Sequence, residues 1–498
     1  ASDTYRSLDL RRFFTTAANG LEYLPLRDVS FALDYLVWGM DPRGFHLTNL
    51  VLYLFNIFAV YYFAATAARF LRPAAEKGDG DTRFVAFWCA ALFAVHPLHS
   101  QVVSFVTCRN TLLSGLFTFL AAAWYLRFLT AEDGRRHLFY AATLGAYVLA
   151  LFSKGTSIFL PLFFLPCVFL GGRKKLTALI SLAPFVGLAA GASWLFTTIA
   201  RDTNVIDAIL SRHGGLAAIR LLEAVQIPFF YLGKLVVPLG LSADYDPLFA
   251  HALATPAVAG ALVAIVVLAA AAVYFARRLP VIPFALCWYA ASLIPVLHLI
   301  PTSTTVADRY AYLPSFAFFF LIASGGAMVR QVYPRRICAV VAGIIGAGWA
   351  FLAFAHNRVW HDDVSLWEHT AQVSPRSLTA LDNLGWIYFT RGELAKAGNY
   401  FQRALLIDPG DPLYAFFQGY LAFDRKDYAK ALTCFKDAYA KRNDLIEAIF
   451  YIGQSYEAIG DRKMASEYYR YVLGNSAPEA VDYRRLAAER LQRVGGDR

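Results

Sequence analysis

One arginine, Arg309, stands between an acid and two tyrosines in the run ADRYAYLPS at residues 307–315, where an apolar segment begins. A guanidinium can bind a phosphate through two parallel hydrogen bonds, so Arg309 is a candidate ligand for a lipid phosphate. Tyr310 and Tyr312 could then orient the lipid head group. The alternative is an internal ion pair between Asp308 and Arg309 among aromatic residues of the membrane interface.

A lysine, Lys154, separates two apolar runs in the sequence FSKG at residues 152–155. An ammonium group can bind a phosphate as a point charge. A lysine at such a position can also extend its side chain to the membrane interface without binding a ligand. Both interpretations place the Lys154 amine at the end of a membrane-spanning helix.

Two histidines, His96 and His99, stand three positions apart in HPLHSQ at residues 96–101. They could bind a metal ion, although the motif contains no third ligand. The alternative is a helix end broken by Pro97, with histidines at the membrane interface. The acids Asp244 and Asp246 of LSADYD at 241–246 could act as a base or as metal ligands, or they could be solvated loop residues.

The composition places these groups in a membrane protein. The 498-residue chain is 58% hydrophobic and 16% charged, whereas soluble domains contain roughly 25% charged residues. An ordinary soluble enzyme and a disordered protein are therefore both excluded. The segment 216–240 is apolar but contains three charged residues and two prolines, which predicts an in-plane or re-entrant helix. Ten further segments are expected to cross the bilayer as helices: 47–71, 84–98, 103–129, 138–153, 156–171, 176–198, 252–276, 281–299, 310–329 and 337–355.

The net charge of +10 indicates topology. Residues 1–355 contain 27 Lys/Arg and 17 Asp/Glu, whereas the remainder contains 19 of each. A nucleic-acid partner is not expected, because its binding domain would concentrate positive charge in a soluble patch. Basic residues instead fill short loops on one side of the bundle, which the positive-inside rule makes cytoplasmic: 69–83, 127–137, 173–175, 277–278 and 330–336. The segment 1–46, the loops near 96–102, 199–251 and 300–309, and the tail after 356 are then extracytoplasmic.

The polar C-terminal part repeats itself with a period of about 34 residues, which is typical of tetratricopeptide (TPR) repeats. The period and the residue types predict repeats at 378–411, 412–445 and 446–479, followed by a polar capping helix at 480–493. Such an array presents a concave surface to peptides or proteins; the alternative is a spacer without a ligand. The period is carried by three sets of residues: Gly385, Gly419 and Gly453; Ala397, Ala431 and Ala465; and Phe401, Phe435 and Tyr469.

These patterns predict an all-α protein, a polytopic helical bundle with a C-terminal α-solenoid. The expected organisation is a first outer loop at 1–46, a transmembrane domain at 47–355, a linker helix at 356–377, repeats at 378–479 and a cap and tail at 480–498. An outer location for 1–46 requires something to carry it across the membrane. We therefore expect one span before residue 1, which would make eleven.

The motifs, taken in order, resemble the transmembrane and TPR-containing O-mannosyltransferases, and more closely their bacterial relatives. The resemblance covers about residues 22–480. It depends on Trp360, the repeat array and six short runs: GFHLTN at 44–49, HPLH at 96–99, RNTLL at 109–113, SK at 153–154, LSADY at 241–245 and DRYAYLPS at 308–315.

The resemblance implies a glycosyltransferase of the GT-C fold class, which takes a sugar from a polyprenyl-phosphate carrier at the outer leaflet. Arg309, helped by Lys154 or Arg109, would neutralise the carrier phosphate. His46, His96 and His99, with Asp244 and Asp308, would line the sugar, acceptor or head-group side.

The usual base in this family is an aspartate of the first outer loop, and Asp3 is the nearest carboxylate here. The sequence departs from the family at Gln101, where relatives often have Glu, and at Thr111, where Asp is frequent. No metal site is defined, and a divalent metal is left open because some enzymes of the class use one.

The expected product is an O-glycosylated extracytoplasmic protein, bound through the TPR array, at the bacterial inner membrane with the array in the periplasm. A non-catalytic membrane-anchored TPR scaffold is the alternative. A third possibility keeps the fold but makes the acceptor a glycan or lipid.

Overall fold

The computed structural model describes residues 10–15, 23–72, 79–132, 134–170, 175–202, 217–246, 249, 252–253, 255–299, 304–475 and 480–495. Within these ranges the regular elements are α-helices and short 3₁₀ turns, which confirms the all-α prediction. Contacts along the chain divide it into two units, one ending at His361 and one beginning at Asp362.

The first unit contains fifteen described α-helices. They are α1 (Leu10–Thr15), α2 (Pro25–Trp38), α3 (Pro42–Phe70), α4 (Asp79–Val95), α5 (Ser100–Ser104), α6 (Arg109–Thr130), α7 (Arg136–Ser153), α8 (Leu160–Leu170), α9 (Lys175–Ile180), α10 (Ala183–Asp202), α11 (Ala217–Val236), α12 (Pro256–Phe275), α13 (Val281–Leu293), α14 (Ser315–Val329) and α15 (Arg335–Asn357).

Each of the ten expected spans coincides with helical structure, but the helices differ in length. In the described part of the chain, five stretches are long and apolar enough to cross a bilayer: Pro42–Phe70, Val106–Thr130, Lys175–Ile199, Pro256–Phe275 and Arg336–Trp360. A sixth consists of Gly80–Val95 and Pro97–Ser104, bent by 57°. Three apolar helices are shorter: Gly155–Leu170, Val281–Val296 and Ser315–Val329. The unit is thus a multi-pass bundle, and the count of ten stays a prediction.

The bundle is held by aromatic packing and by hydrogen bonds between helices. Phe63 on α3 stacks on Phe316 of α14 with ring centroids 4.3 Å apart, and lies 4.9 Å from the Trp288 ring of α13. The side-chain amide of Asn56 donates to the carbonyl of Leu112 at 2.9 Å and so joins α3 to α6. Such contacts matter because lipid offers no hydrophobic drive between helices; each aromatic pair contributes about 0.5–1.5 kcal/mol.

The second unit is an array of helix pairs. After α16 (Asp363–Val373) come α17 (Leu378–Thr390) with α18 (Leu394–Ile407), α19 (Pro412–Asp424) with α20 (Tyr428–Lys441), and α21 (Ile446–Ile459) with α22 (Arg462–Gly474). The last helix, α23, runs from Val481 to Gly495. Helix pairs in this register confirm the predicted TPR array.

Contact between an aromatic ring and a glycine explains the period of the repeats. A Cβ at Gly385 would lie 2.6 Å from the Phe401 ring, closer than any packed core permits. The equivalent distances are 2.7 Å from Gly419 to Phe435 and 2.8 Å from Gly453 to Tyr469. The second helix of each pair can therefore approach the first only where the first carries glycine.

Candidate active site

Lys154 projects from the junction between two helical segments. The α7 helix ends at Ser153, and Lys154 is extended (φ −163°, ψ 129°) before the 3₁₀ turn Gly155–Phe159 begins. The Lys154 amine donates to the Thr111 hydroxyl at 2.9 Å, in the first turn of α6. It also lies 5.6 Å from the centre of the Tyr310 ring.

Arg309 approaches the same tyrosine. It lies in the 3₁₀ turn Asp308–Ala311, which precedes α14. Its guanidinium carbon is 5.0 Å from the centre of the Tyr310 ring, and its backbone N–H donates to the side-chain oxygen of Gln101 at 2.8 Å. Two cations that are distant in sequence therefore lie against one ring, at separations that cation–π contacts permit.

Hydroxyl groups line a cavity between these two cations. A cavity of about 20 Å³ is lined by the side chains of Thr111, Ser114, Thr156 and Ser292, together with the two cations. Among its lining residues there is no acid. The lining therefore favours an anion, and its volume corresponds to about one water molecule, so a phosphate would require the two long cationic side chains to move.

Asp308 has a different partner from the one that its sequence position suggests. Its carboxylate accepts a hydrogen bond of 2.6 Å from the Tyr245 hydroxyl, and the residue is 1% exposed. Burial raises the pKa of Asp308 to about 7. The acid thus faces the 241–246 loop, whereas Arg309 lines the cavity. The Arg309 charge still acts to lower the pKa of Asp308, so the two residues interact electrostatically.

The loop containing Asp244 is tied to this site. The side-chain amide of Gln101 donates to the carbonyl of Ala243 at 3.2 Å, while its oxygen accepts from Arg309 as described above. The Ser242 hydroxyl donates to the Asp244 carbonyl at 2.7 Å. Gln101 thus connects the Asp244 loop to the Arg309 turn, whereas the Asp244 side chain is only partly buried.

Arg109 is placed elsewhere, and its predicted contact with the carrier phosphate does not fit its surroundings. The residue is 0% exposed and forms an ion pair with Asp34 of α2. Its guanidinium also donates to the Asn49 side chain and the Phe45 carbonyl, both at 2.8 Å. Because these groups occupy the guanidinium, Arg109 joins α2, α3 and α6 and has no open side for a phosphate.

The two histidines of HPLH are also part of the core. His96 and His99 are each 2% exposed. A ring nitrogen of His96 lies 3.1 Å from the Leu235 carbonyl, and the two nitrogens of His99 lie 2.8 Å from the Phe93 carbonyl and 3.1 Å from the Ser315 hydroxyl. They therefore connect helices and do not line an accessible sugar site, which corrects the expected role.

Tyr312, unlike Tyr310, is also part of the core. It is fully buried, with its ring 5.2 Å from Phe93 and 5.0 Å from His99. A Cβ on Gly115 would lie 2.7 Å from it, so α6 approaches this ring closely. Tyr310 is therefore the tyrosine that can face a head group, and Tyr312 packs in the core.

Two expected site residues stand apart from the cluster. His46 lies in the second turn of α3 and is exposed. Asp3, the expected base, lies outside the described residues. Within the described ranges no three His, Cys, Asp or Glu side chains come together as a metal site would require.

Sequence reasoning missed Asp34 and Tyr245, which hold two of the candidate residues. The available signal for Asp34 was an acid inside the apolar run FALDYLVW at 31–38, because a charge at such a position needs a partner. Tyr245 adjoined the recognised Asp244, but its pairing with Asp308, 63 positions away, follows from the tertiary fold.

Comparison with known proteins supports the resemblance. Residues 379–411 match the tetratricopeptide repeat family. The chain is 25% identical over 428 residues to the protein O-mannosyl-transferase TMTC3 of Mus musculus, covering 78% of this chain and 45% of that protein. It is 23% identical over 496 residues to the protein O-mannosyl-transferase Tmtc3 of Drosophila melanogaster, covering 84% and 52%. The chain is similar to protein O-mannosyl-transferases.

Shorter matches of higher identity are also found. The chain is 35% identical over 135 residues to the protein O-mannosyl-transferase Tmtc1 of Drosophila melanogaster, covering 27% of this chain and 14% of that protein. The chain spans about half the length of the mouse and Drosophila TMTC3 proteins, the two relatives above that match most of its residues. Similarity over four-fifths of this chain confirms the relationship that the six motifs predicted.

Proposed function

We propose that the chain is a membrane glycosyltransferase that moves mannose or another hexose from a polyprenyl-phosphate carrier to a hydroxyl of an extracytoplasmic protein. The observation that carries this proposal is the placement of Lys154 and Arg309 at 5.6 Å and 5.0 Å from the centre of the Tyr310 ring. Their cavity is lined by hydroxyls and lacks acids among its lining residues. The similarity to protein O-mannosyl-transferases supports the choice of sugar and acceptor.

The two cations suit the leaving group of this reaction. When the bond between the sugar and the carrier breaks, negative charge develops on the polyprenyl phosphate. Arg309 can contact phosphate oxygens through two donors and Lys154 through one point charge. Once the two side chains have moved to admit the phosphate, their charges face the oxygen on which negative charge develops and stabilise it there. Tyr310 keeps both within reach.

The reaction inverts the sugar C1 configuration. The acceptor oxygen forms a bond to C1 on the face opposite the phosphate, the C1–O bond to phosphate breaks, and polyprenyl phosphate leaves. A carboxylate takes the acceptor hydroxyl proton. We assign that base to the first outer loop, with Asp3 as the nearest carboxylate in this chain. Asp308, buried and bonded to Tyr245, positions the Asp244 loop instead.

The location follows from the distribution of charge. The positive-inside rule places Lys154 and Arg309 at the extracytoplasmic ends of their helices and the TPR unit on that side. The charges give the orientation, and the resemblance to bacterial relatives is what leads us to propose the bacterial inner membrane, with the repeats in the periplasm. TPR arrays bind peptides and proteins, so the array would recruit the acceptor.

A transfer assay tests the proposal. Purified protein is incubated with polyprenyl-phosphate mannose and an acceptor protein, and mannosylated product is measured by mass spectrometry. Arg309→Ala and Lys154→Ala should each lower kcat/KM by about tenfold to a hundredfold, since a charge-assisted contact contributes about 1.5–3 kcal/mol. Arg358→Ala is a matched control, because its guanidinium also packs on a ring, that of Phe354 at 5.2 Å.

The result of this assay distinguishes a glycosyltransferase from a non-catalytic TPR scaffold. Transfer that survives in both alanine variants at the level of the control would remove these cations from the mechanism. Absence of transfer from any polyprenyl-phosphate sugar, with acceptor still bound to the TPR array, would favour the scaffold. Transfer to lipid or glycan alone would change the acceptor class.

A further inference from the structure

An apolar crevice lies between α4, α14 and α15. Its volume is about 260 Å³, and its walls are almost entirely hydrocarbon. Two of its lining residues, Ile337 and Val341, are 53% and 51% exposed, so the crevice is open toward the surrounding lipid. Side chains spaced by four residues line it on α4 and on α15: Phe84, Trp88 and Leu92, and Ile337, Val341 and Ile345.

The crevice has the depth of one leaflet and starts at one end of its helices. On α14 it extends from Ile322 to Val329, the last residue of the helix. On α15 it begins at Ile337, two positions after the helix starts, and extends to Ile345. These eight residues of α15 rise by about 12 Å, and half of the hydrocarbon core of a bilayer is about 15 Å. A hydrocarbon chain that enters from this membrane surface would therefore fit along it.

A cationic cluster stands where the crevice meets the membrane surface. The guanidinium carbon of Arg330 lies 4.5 Å from the centre of the Phe84 ring, which lines the crevice. Arg330 and Arg72 both pair with the carboxylate of Asp81. One acid thus serves two arginines, and these three side chains together keep a positive charge.

The turn that joins α14 to α15 adds further positive charge. Its sequence, RQVYPRR at 330–336, contains three arginines and no acid. Arg336 is exposed, and the next residue, Ile337, lines the crevice. Tyr333 of the same turn also lines it, and tyrosine is typical of the depth at which lipid head groups lie. The positive-inside rule makes this surface cytoplasmic.

The α15 helix has little protein packed around it. Of the residues in the most apolar stretch of Arg336–Trp360, 6% are buried. A hydrocarbon chain in the crevice would contact α4, α14 and α15 at once and would add van der Waals contacts that the three helices do not supply to one another. Its binding would therefore stabilise α15 against the bundle.

We infer that this crevice binds an acyl chain of an anionic phospholipid from the cytoplasmic leaflet, with the lipid phosphate at Arg330 and Arg336. Basic pockets between membrane helices on the cytoplasmic side are typical sites for anionic lipid head groups. The arginines favour an anionic head group over a zwitterionic one, and the apolar walls require an attached hydrocarbon chain.

This site is separate from the cavity between Lys154 and Arg309. Arg309 precedes Ser315 at the opposite end of α14, and Ser315 is fourteen residues, about 21 Å of helix rise, from Val329. The phospholipid site therefore does not depend on the proposed transfer reaction, and it is tested without a sugar donor.

The first test fills the crevice. A phosphatidylglycerol with a photoreactive group in its acyl chain is cross-linked to the full chain in vesicles of phosphatidylethanolamine. Labelled peptides should come from the crevice segments of α4, α14 and α15. Val341→Trp should lower this labelling about tenfold, which corresponds to about 1.4 kcal/mol.

Val340→Trp is the matched control for the filled crevice. Val340 is 58% exposed, similar to Val341, but it does not line the crevice. Labelling in this variant should stay within about twofold of the unaltered protein. An equal loss in the two variants would assign the labelling to lipid that surrounds the bundle without a specific site, and would overturn the inference.

The second test varies the head group and leaves the crevice intact. With the same photoreactive acyl chain, phosphatidylglycerol should label the crevice about fivefold more strongly than phosphatidylethanolamine, since one arginine near the membrane surface contributes about 1 kcal/mol. Arg336→Gln should bring this ratio close to one. Arg277→Gln, which changes an exposed arginine next to α12, should leave it unchanged.

Two results of the second test would contradict the inference. Equal labelling by the two lipids in the unaltered protein would show that the crevice does not select an anionic head group. Loss of labelling on addition of equimolar polyprenyl phosphate would assign the crevice to another class of lipid. Because Arg336 is exposed, its substitution tests the site even if Val341→Trp fails to fold.

Discussion

The guanidinium of Arg109 and the carboxylate of Asp34 form a buried ion pair, 2.5 Å apart, between α6 and α2. The side chains are 0% and 8% exposed. An arginine that the family resemblance associates with phosphate binding is therefore used to fix α2 onto the bundle. Arg109 and Asp34 therefore stabilise the packing of the helices around the site, and they are not among the residues that could contact the donor.

Asp34→Leu should destabilise the first unit by about 3–5 kcal/mol, because it leaves Arg109 buried without its counter-charge. Thermal unfolding in detergent should show a lower midpoint. Asp34→Leu combined with Arg109→Met should recover part of the loss, since both charges are then removed. An unchanged midpoint in the single variant would contradict the role of the pair.

Asp308 should make stability depend on pH. Its pKa is raised by burial to about 7, so between about pH 4 and pH 7 the folded protein binds more protons than the unfolded chain. Stability should therefore fall as pH rises through this window, by at most about 1.4 kcal/mol per pH unit. Unfolding midpoints measured from pH 4 to pH 8 should flatten in Asp308→Asn. The exposed Asp246→Asn is the control, and a slope unchanged in Asp308→Asn would assign the effect to another group.

Gly419→Ala should loosen the second repeat. The new Cβ would lie 2.7 Å from the Phe435 ring, and overpacking of this kind typically costs about 1–3 kcal/mol. Hydrogen exchange of the full chain should show faster opening of α19 and α20. Gly474→Ala, where a Cβ meets nothing within 4 Å, should not. Equal exchange in the two variants would refute the steric explanation of the period.

Asp382 and Asp411 should make the TPR unit less stable at alkaline pH. Burial and the neighbouring Asp411 carboxyl raise the pKa of Asp382 to about 8, and burial also raises the pKa of Asp411. Folding therefore favours the protonated acids, and stability falls as pH rises from about 4 to 8. Asp382→Asn should slow hydrogen exchange of α17 at pH 8 relative to the exposed Asp424→Asn. Faster exchange in Asp382→Asn would show that the charged carboxylate stabilises the array.

The sequence by itself determined the membrane class, the helical segments and the TPR period. These properties depend on local composition and spacing. Apolar runs must be helical in lipid, and the contact between a glycine on one helix and a ring on the next recurs with every helix pair. The family resemblance joined Lys154, Arg309 and Tyr310 in one functional hypothesis, which also contained Arg109, His96, His99 and Tyr312.

Only the tertiary structure decided which polar residues at the helix ends lie together. Arg109, His96, His99 and Tyr312 share the local context of Lys154, Arg309 and Tyr310, yet they are buried among partners from distant helices. The partners Asp34, Leu235 and Ser315 lie 75, 139 and 216 positions away from Arg109, His96 and His99 respectively. A side chain's role at the end of a span depends on which neighbours satisfy its hydrogen bonds, and helix packing supplies those neighbours.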